Sequence, residues 1–247
     1  MKTRMDVPIP KEIALTLKSL EANGFGAYLA QAGSEAKEIM LALIPPSAIV
    51  GVADSVTLRQ IGILEVLTQR GNEIINPFVP EITAGIKNDP VKRREFISMM
   101  RKTFGSDVFI TGSNAVTMDG NIVNIDRNGN RVAGIIYAAP KVILVIGRNK
   151  IVKDVNAAID RIKNVLAPAH TKQKRYKTPC AEKGKCYDCD SQDRICNITV
   201  ILEKKPLSTD LSVVLVNEDL GLGWDPKWNE ARRAKIIDNY YKYSWPF

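Results

Sequence analysis

The four cysteines of the chain lie within one short segment and follow the pattern C-x5-C-x2-C-x6-C. They are Cys180, Cys186, Cys189 and Cys196. Four thiolates so close in sequence can complete a tetrahedral zinc site or hold a [4Fe–4S] cluster, and either metal would order a loop with few apolar residues. Disulfides are disfavoured, because a chain of 247 residues needs no such staples and a reducing cytoplasm would not keep them. The single C-x2-C pair favours the iron–sulfur cluster, with zinc as the alternative.

A second set of candidate functional residues, with polar or charged groups, lies where apolar, strand-like runs end. Carboxyl ends of parallel strands share one edge of a sheet, where ligands of open α/β folds bind. Hydroxyl, amide and cationic groups gathered there would suit a carboxylate or phosphate, so the sequence predicts a pocket for a small anionic metabolite. The predicted ligand-binding residues are Asp54, Ser55, Thr57, Thr111, Gly112, Ser113, Asn114, Arg148, Asn149 and Lys150.

Catalytic residues are not identified by this reasoning. Asp54 or Ser55 could instead cap the helix that follows, which is the commoner role of these residue types. Asp54, Asp119 and Asp126 are the nearest candidates for a general base, and each also suits a cap, a turn or the surface. The only histidine, His170, falls in an expected linker. The chain lacks a nucleophile elbow, a Gly-x-Gly-x-x-Gly fingerprint and a Walker loop.

Strands and helices alternate along the chain, which favours a mostly parallel sheet with helices on both faces. Two tight-turn signals, Asp119-Gly120 and Asn128-Gly129, add a small antiparallel ribbon. Helices are expected at residues 8–21, 34–43, 56–71, 89–104, 152–166 and 226–243. Strands are expected at residues 26–31, 48–53, 74–79, 107–111, 141–146, 197–202 and 211–216, the last two rejoining the main sheet.

Domain organisation follows from length and from these elements. We expect one domain over residues 1–247, with the cysteine-rich segment as an insertion at about 168–197. The last helix ends in an aromatic cluster, Tyr240, Tyr241, Tyr243, Trp245 and Phe247. That cluster suits packing within the chain, and the alternative is packing on a second subunit of a homo-oligomer.

Charge and hydropathy narrow the class of protein. The composition, 45% hydrophobic and 25% charged, is that of a soluble globular protein, and no apolar run is long enough for a membrane span or signal peptide. The chain is therefore predicted to be cytoplasmic. A net charge of +8 and a basic stretch at residues 170–185 also suit a zinc-stabilised regulatory or nucleic-acid-binding protein. That alternative is disfavoured, because only Tyr176 and Tyr187 interleave the basic residues.

Several spaced motifs resemble one known family. They are TGSNAVTMDGNIVNID at residues 111–126, GNRVAGIIYAAPKVILVIGRNKIV at residues 129–152, and GVADSVT at residues 51–57 followed by Gln60-Ile61-Gly62. The series resembles the lactate-utilisation (LUD) domain family over roughly residues 10 to 220. The resemblance implies the α/β fold shared by ribose-5-phosphate isomerase and CoA transferases, and an oxidoreductase role in L-lactate oxidation beside iron–sulfur and flavin-linked redox partner proteins. The four-cysteine segment departs from most such domains.

Overall fold

The computed structural model of the chain describes residues 9–86 and 88–244. Its strands are β1 Gly26–Ala30, β2 Val50–Val52, β3 Ile74–Ile75, β4 Val108–Gly112, β5 Ala115–Thr117, β6 Ile122–Asp126, β7 Lys141–Gly147, β8 Ile151–Val152, β9 Ile198–Leu202 and β10 Asp210–Val216. Its α-helices are α1 Lys11–Ala22, α2 Gly33–Leu43, α3 Val56–Ile61, α4 Ile63–Arg70, α5 Pro80–Thr83, α6 Pro90–Lys102, α7 Asn130–Ala133, α8 Val155–Arg161, α9 Ala167–Gln173, α10 Pro179–Lys183 and α11 Glu230–Tyr243.

Six strands form the main sheet, in the order β1-β10-β7-β4-β2-β3, and every neighbouring pair is parallel. The central strands β7 and β10 are almost continuous runs of valine, isoleucine and leucine, as expected for strands covered on both faces. Alternate residues of these strands belong to two separate hydrophobic clusters, one on each face. This arrangement confirms the predicted α/β class with an open parallel sheet.

The two faces of the main sheet are covered differently. Helices α2, α3 and α4 cover one face with apolar side chains such as Met40, Leu58 and Leu67. On the other face, α1 packs beside the small second sheet and the helical stretch that begins with α7, through side chains such as Ile13 and Ile135. A sheet therefore replaces some of the helices expected on that face.

The second sheet has the order β8-β5-β6-β9. Strands β5 and β6 form an antiparallel hairpin at Asp119-Gly120, where Gly120 has φ +84°, and this part of the predicted ribbon is confirmed. The expectation that residues 197–202 rejoin the main sheet is wrong, because β9 pairs antiparallel with β6. Only β10, whose two faces are both buried, lies in the main sheet.

The predicted turn at Asn128-Gly129 is also wrong. Gly129 has φ +84°, but it precedes α7, which continues as a π-helical turn over Gly134–Ala138. An Asn-Gly pair followed by a helix-compatible sequence serves the start of a helix as well as a hairpin, because both need the left-handed conformation at glycine.

The helix expected to stop at residue 166 is longer than predicted. It runs from α8 through a π-helical segment, Ile162–Leu166, into α9 and so passes Pro168. The wide π turn lies just before Pro168, where a regular α-helix would bring the proline ring against the carbonyl group four residues earlier. His170 is therefore in a helix and not in a linker, and the cysteine segment begins only after Gln173.

Other differences are smaller. The expected helix over residues 56–71 is two helices, because Gly62 at φ +64° breaks it between α3 and α4. The C-terminal helix begins at Glu230, where the side chain of Asn229 accepts a hydrogen bond from the Arg232 N–H. In the aromatic cluster at its end, Tyr240 is buried within the chain and Tyr241 is 39% exposed. Trp245 and Phe247 lie outside the described residues.

Among residues 9–86 and 88–244, no helix combines the length and the apolar character needed to cross a membrane.

Candidate functional site

A cavity of about 260 Å³ opens at the carboxyl edge of the main sheet. Strands β2, β4, β7 and β10 are all followed by residues that line it, which is the convergence expected for an open α/β fold. The predicted ligand-binding residues that line this cavity are Asp54, Ser55, Thr57, Gly112, Ser113, Asn114 and Lys150.

Lys150 is the central cation of the cavity. Its side chain is 6% exposed, and its Nζ donates a hydrogen bond to Thr57 Oγ1 at 3.2 Å. Burial lowers the pKa of Lys150 to about 7, and the nearby positive charge of Arg131 contributes to the same shift. The amine can therefore exist in both protonation states near neutral pH.

Arg131 supplies the second positive charge and was not predicted from the sequence. It is on α7, and its guanidinium donates to Oδ1 of Asn124 at 2.9 Å and to Oδ1 of Asn114 at 3.0 Å. It also donates to the carbonyl group of Ile125 at 3.0 Å and lies 3.5 Å from a carboxylate oxygen of Asp126. Arg131 thus connects several residues at the cavity through hydrogen bonds and contributes a positive charge there.

The polar groups at the end of β4 mostly form hydrogen bonds with other residues around the cavity. Ser113 donates to the carbonyl group of Ala115 at 3.0 Å, and the Asn114 backbone N–H donates to Asn124 Oδ1 at 3.1 Å. Asn114 Oδ1 also accepts from the Ile125 N–H at 2.9 Å. These side chains shape the cavity, and Lys150 and Arg131 are the basic groups near the Thr57 end and the α7 end of its lining.

Asp54 and Ser55 have identifiable structural partners. The Asp54 carboxylate forms an ion pair with Arg59 at 2.8 Å. Burial is the largest single influence and works against the charged form of Asp54, but the positive charges of Arg59 and Lys174 and the hydrogen bond from Arg59 together outweigh it and lower the pKa of Asp54. Ser55 accepts a weak hydrogen bond from the Leu58 N–H at 3.4 Å, so it caps α3 and also lines the cavity.

His170 and Tyr240 both line the cavity, and Nδ1 of the histidine shares a hydrogen bond with the tyrosine hydroxyl; Tyr240 is buried and His170 is partly buried. Burial, together with the smaller effect of the positive charge of Lys174, lowers the pKa of His170 to about 4. The imidazole is therefore neutral at physiological pH. Because His170 was expected in a linker, the sequence did not predict its position in the cavity or its contact with Tyr240.

Three predicted ligand-binding residues do not line the cavity. Arg148 is 40% exposed and pairs with Asp219 at 3.2 Å. Asn149 is buried, and its side chain donates to the Gly223 carbonyl group and accepts from the Leu220 N–H. Thr111 is fully buried within β4.

The other two candidate general bases differ in position. Asp126 lines the cavity, but its carboxylate accepts hydrogen bonds from the backbone N–H groups of Asn128 and Gly129, both at 3.1 Å. Asp119 lies outside the cavity and accepts from the Thr117 hydroxyl in the hairpin turn. Both therefore have the turn role that the sequence also allowed.

The cysteine segment borders the same cavity through Cys196. Arg194 connects the backbones of two cysteines, since it donates to the carbonyl groups of Cys189 at 2.6 Å and Cys196 at 3.3 Å. Burial raises the pKa of the Cys196 thiol to about 11, and nearby Cys186 and Cys180 add to that rise. The thiols are thus close enough to influence one another electrostatically.

Two of the sulfur atoms have hydrogen-bond partners from neighbouring residues. Cys180 Sγ is 3.3 Å from the Thr178 hydroxyl, and Cys186 Sγ accepts from the Asp188 N–H at 3.4 Å. Four thiols are the soft donor set that iron–sulfur clusters and structural zinc require, so the residue types fit either group. Within the described ranges, however, no three Cys, His, Asp or Glu side chains are arranged to hold a metal ion.

The fold and the cavity together define an α/β protein with a site at the carboxyl edge of a parallel sheet that is lined by Lys150 and Arg131. The LUD domain family matches residues 13–216, and the chain belongs to this family. Membership implies a role related to lactate utilisation. A crystal structure of a DUF162 family protein from Deinococcus radiodurans at 1.70 Å resolution is similar over 85% of this chain and 100% of that chain, with 12% identity and a TM-score of 0.47. None of the curated proteins compared matches the chain.

Proposed function

We propose that the protein binds a small anionic metabolite in the cavity and carries a four-cysteine metal centre beside it, as a cytoplasmic component of lactate-type hydroxy-acid oxidation or of the associated electron transfer. The observation that carries the proposal is that Lys150 and Cys196 line the same cavity. A metabolite bound by Lys150 and Arg131 would lie beside the cysteine segment. Metabolite binding and redox chemistry would then share one site.

Anion binding is supported by the two basic groups of the cavity. Lys150 is 6% exposed and Arg131 contributes a second positive charge, so a carboxylate near both would interact with groups that are only weakly screened by water. The cavity volume of about 260 Å³ suits a small metabolite such as a short hydroxy acid. Asn114 and Asn124 fix the guanidinium of Arg131, so little side-chain order would be lost on binding.

The metal centre would be held by Cys180, Cys186, Cys189 and Cys196. An iron–sulfur cluster bound there would accept and release single electrons. Hydrogen bonds to the sulfur atoms, such as that from the Asp188 N–H to Cys186, are one of the means by which proteins tune such clusters. Zinc is the alternative metal, and the cysteines would then have a structural role.

Electron transfer would require redox partner proteins. Lys183 and Lys185 lie on the outer side of the cysteine segment and both approach the ring of Tyr187, at 5.2 Å and 5.4 Å from the ring centroid. This cationic surface suits an acidic partner. The same surface is the remaining support for the alternative, a zinc-stabilised regulatory or nucleic-acid-binding protein.

Calorimetric titration with lactate, pyruvate and inorganic phosphate tests the anion site. We expect Lys150→Met to weaken binding by roughly tenfold or more, about 1.4 kcal/mol per factor of ten. Arg148→Met is the matched control, because Arg148 follows the same strand and pairs with Asp219 outside the cavity. Equal loss in both variants, or no loss in either, would contradict the proposed site.

Anaerobic purification followed by metal analysis and an absorption spectrum tests the metal centre. About four iron atoms per chain with a broad visible absorbance would support the redox function, and Cys186→Ser should reduce both. One zinc and no visible absorbance would favour the structural alternative. A protein without either metal after anaerobic handling would exclude the four-cysteine centre.

A further inference from the structure

The amine of Lys150 is buried without an ion-pair partner. None of the ion pairs formed among residues 9–86 and 88–244 involves Lys150, whose Nζ contacts the hydroxyl group of Thr57 instead. A buried lysine normally forms an ion pair, because burying an unpaired ammonium is costly. An amine kept beside a hydroxyl in a cavity is suited to the neutral, nucleophilic form.

Glycines allow the backbone to enclose this amine. A Cβ at Gly221 would lie 2.8 Å from Lys150 Nζ and 2.6 Å from Thr57 Oγ1, and one at Gly223 would lie 3.7 Å from Lys150 Cγ. On another side, a Cβ at Gly112 would lie 3.0 Å from Ser55 Oγ and 3.7 Å from Nζ. The loop after β10 and the end of β4 thus keep the amine within the cavity.

We infer that Lys150 forms a reversible imine with a small 2-oxo acid whose carboxylate lies toward Arg131. This inference rests on the proposed anion site and names its substrate class. Lys150 and Arg131 line the same cavity of about 260 Å³, and Arg131 is near enough to act on Lys150 electrostatically, so a ligand attacked by the amine can turn its anionic group toward the guanidinium. In a 2-oxo acid the carbonyl carbon and the carboxylate carbon are adjacent atoms.

The reaction is balanced without a cofactor. The neutral amine of Lys150 attacks the carbonyl carbon, a C–N bond forms and the C=O π bond breaks; the nitrogen then loses one proton and the oxygen gains one, which gives a carbinolamine. The carbinolamine hydroxyl takes one further proton from solvent, the C–O bond breaks with loss of water, and the nitrogen lone pair forms the C=N bond of a protonated imine on Lys150. The hydroxyl groups of Thr57 and Ser55 line the cavity and can relay these protons.

The protonation behaviour of Lys150 agrees with this role. Its pKa of about 7 leaves a large fraction of the amine neutral at physiological pH, whereas an exposed lysine is almost entirely charged. Lowering of a lysine pKa by burial and by a neighbouring cation is a known way to activate an amine for imine formation.

Reductive trapping tests the inference. The 247-residue protein is incubated with pyruvate and sodium cyanoborohydride, and the product is examined by intact mass and peptide mapping. We expect one adduct, equal in mass to pyruvic acid minus one oxygen atom, on the peptide containing Lys150. Lactate, which has no carbonyl group, should give no adduct, and acetone, which has no carboxylate, should label Lys150 more slowly.

The variant Lys150→Arg should abolish the adduct, and Lys174→Arg, at another buried lysine, should retain it. Peptide mapping of the wild-type protein decides the question even if a variant fails to fold. Labelling spread evenly over exposed lysines would overturn the inference. Pyruvate binding by calorimetry without an adduct would overturn the imine and leave the anion site intact, whereas absence of both would overturn the proposed function as well.

Discussion

Lys150 Nζ donates a hydrogen bond to Thr57 Oγ1 across 3.2 Å, although the two residues are 93 positions apart in the sequence. Thr57 is in the first turn of α3, after β2, and Lys150 follows β7. The contact therefore joins two strand ends of the main sheet and holds the Lys150 amine in the cavity. Because no carboxylate among residues 9–86 and 88–244 forms an ion pair with the buried amine, Lys150 should reduce the stability of the fold whenever it is protonated.

The first prediction is that Lys150→Met stabilises the protein in a pH-dependent way. The pKa of Lys150 is about 7 in the folded state and near 10.5 when unfolded, so the unfolded state binds more protons between these values. Below about pH 7 the buried lysine lowers the free energy of unfolding by its full amount. As the pH rises toward 10.5, this loss of stability decreases by about 1.4 kcal/mol per pH unit.

Denaturant unfolding at pH 6, 8 and 10 measures this effect. The advantage of Lys150→Met over wild type should be largest at pH 6 and smallest at pH 10. Lys153→Met is the control, because the Lys153 side chain is 81% exposed and should show no such trend. A constant difference across the pH range would mean that the folded-state pKa of Lys150 is not lowered.

The second prediction concerns His170. Its pKa is lowered to about 4 from the ordinary 6.5, so folding keeps the imidazole neutral while the unfolded chain takes up a proton. This contribution destabilises the protein progressively as the pH falls from about 6.5 to 4. In His170→Gln, which keeps a polar group beside Tyr240, that part of the acid sensitivity should be absent.

Unfolding of wild type and His170→Gln at pH 7 and pH 4.5 provides the comparison. The variant should lose less stability than wild type between the two values, and an NMR titration of the single histidine should give a pKa well below 6.5. Parallel loss of stability in both proteins would show that His170 is accessible to solvent in the folded state.

The third prediction is that Gly221→Ala damages the cavity more than the fold. A Cβ at Gly221 would lie 2.6 Å from Thr57 Oγ1 and 2.8 Å from Lys150 Nζ. Both distances are too short, so the alanine would displace these two groups of the cavity. Gly71→Ala is a matched control, since both glycines have positive φ, +67° and +94°, but a Cβ at Gly71 meets nothing within 4 Å.

Both variants should be less stable than wild type by about 1–2 kcal/mol, which is the cost of a left-handed alanine. Only Gly221→Ala should also weaken binding of pyruvate or phosphate, by roughly tenfold. Thermal unfolding and calorimetric titration give the two readouts. Unchanged anion affinity in Gly221→Ala would show that Lys150 and Thr57 are not the binding groups.

The fold was predictable where local sequence determines structure. Runs such as residues 141–146 and 211–216 are apolar and β-branched without interruption, and strand–helix alternation then requires a parallel sheet. Lys150 and Ser55 were found because both follow such strands directly. Strand ends are local features, and parallel topology brings them to one edge whatever the details of packing.

The rest of the cavity depends on tertiary structure. Arg131 was missed because Asn128-Gly129 is compatible with a hairpin turn and with the start of α7. His170 was missed because Pro168 suggested a helix end, which the preceding π-helical segment avoids. In both places a local signal had two structural solutions, and packing against the rest of the chain decides between them.

Arg148 and Asn149 were predicted to bind the ligand because they are adjacent to Lys150 in the sequence. The three residues form a single 3-10 turn, in which successive side chains point about 120° apart. Arg148 reaches Asp219, Asn149 joins the loop after β10, and only Lys150 enters the cavity. Adjacency in the sequence therefore did not mean adjacency in the site.

The last prediction is that Gly134→Ala, a change that helix propensity favours, destabilises the protein. Gly134 follows α7 in the helical stretch that carries Arg131, and replacing glycine by alanine in a helix gains up to about 1 kcal/mol. A Cβ at Gly134, however, would lie 2.2 Å from Cζ of Phe109, whose ring is 1% exposed in the core beneath. Overpacking of this kind costs about 1–3 kcal/mol or more, so packing outweighs propensity.

Displacing this helix from the sheet should also move Arg131 away from Asn114 and Asn124, so Gly134→Ala should weaken anion binding even where the protein remains folded. Ala133→Gly is the control, because Ala133 is exposed in the preceding turn and should lose only the helix propensity, about 1 kcal/mol, with anion affinity unchanged. Chemical denaturation and calorimetry on both variants measure the two effects. If Gly134→Ala were as stable as wild type and bound anions equally well, the close contact between Gly134, in the π-helical turn after α7, and Phe109 of β4 would not be what positions Arg131.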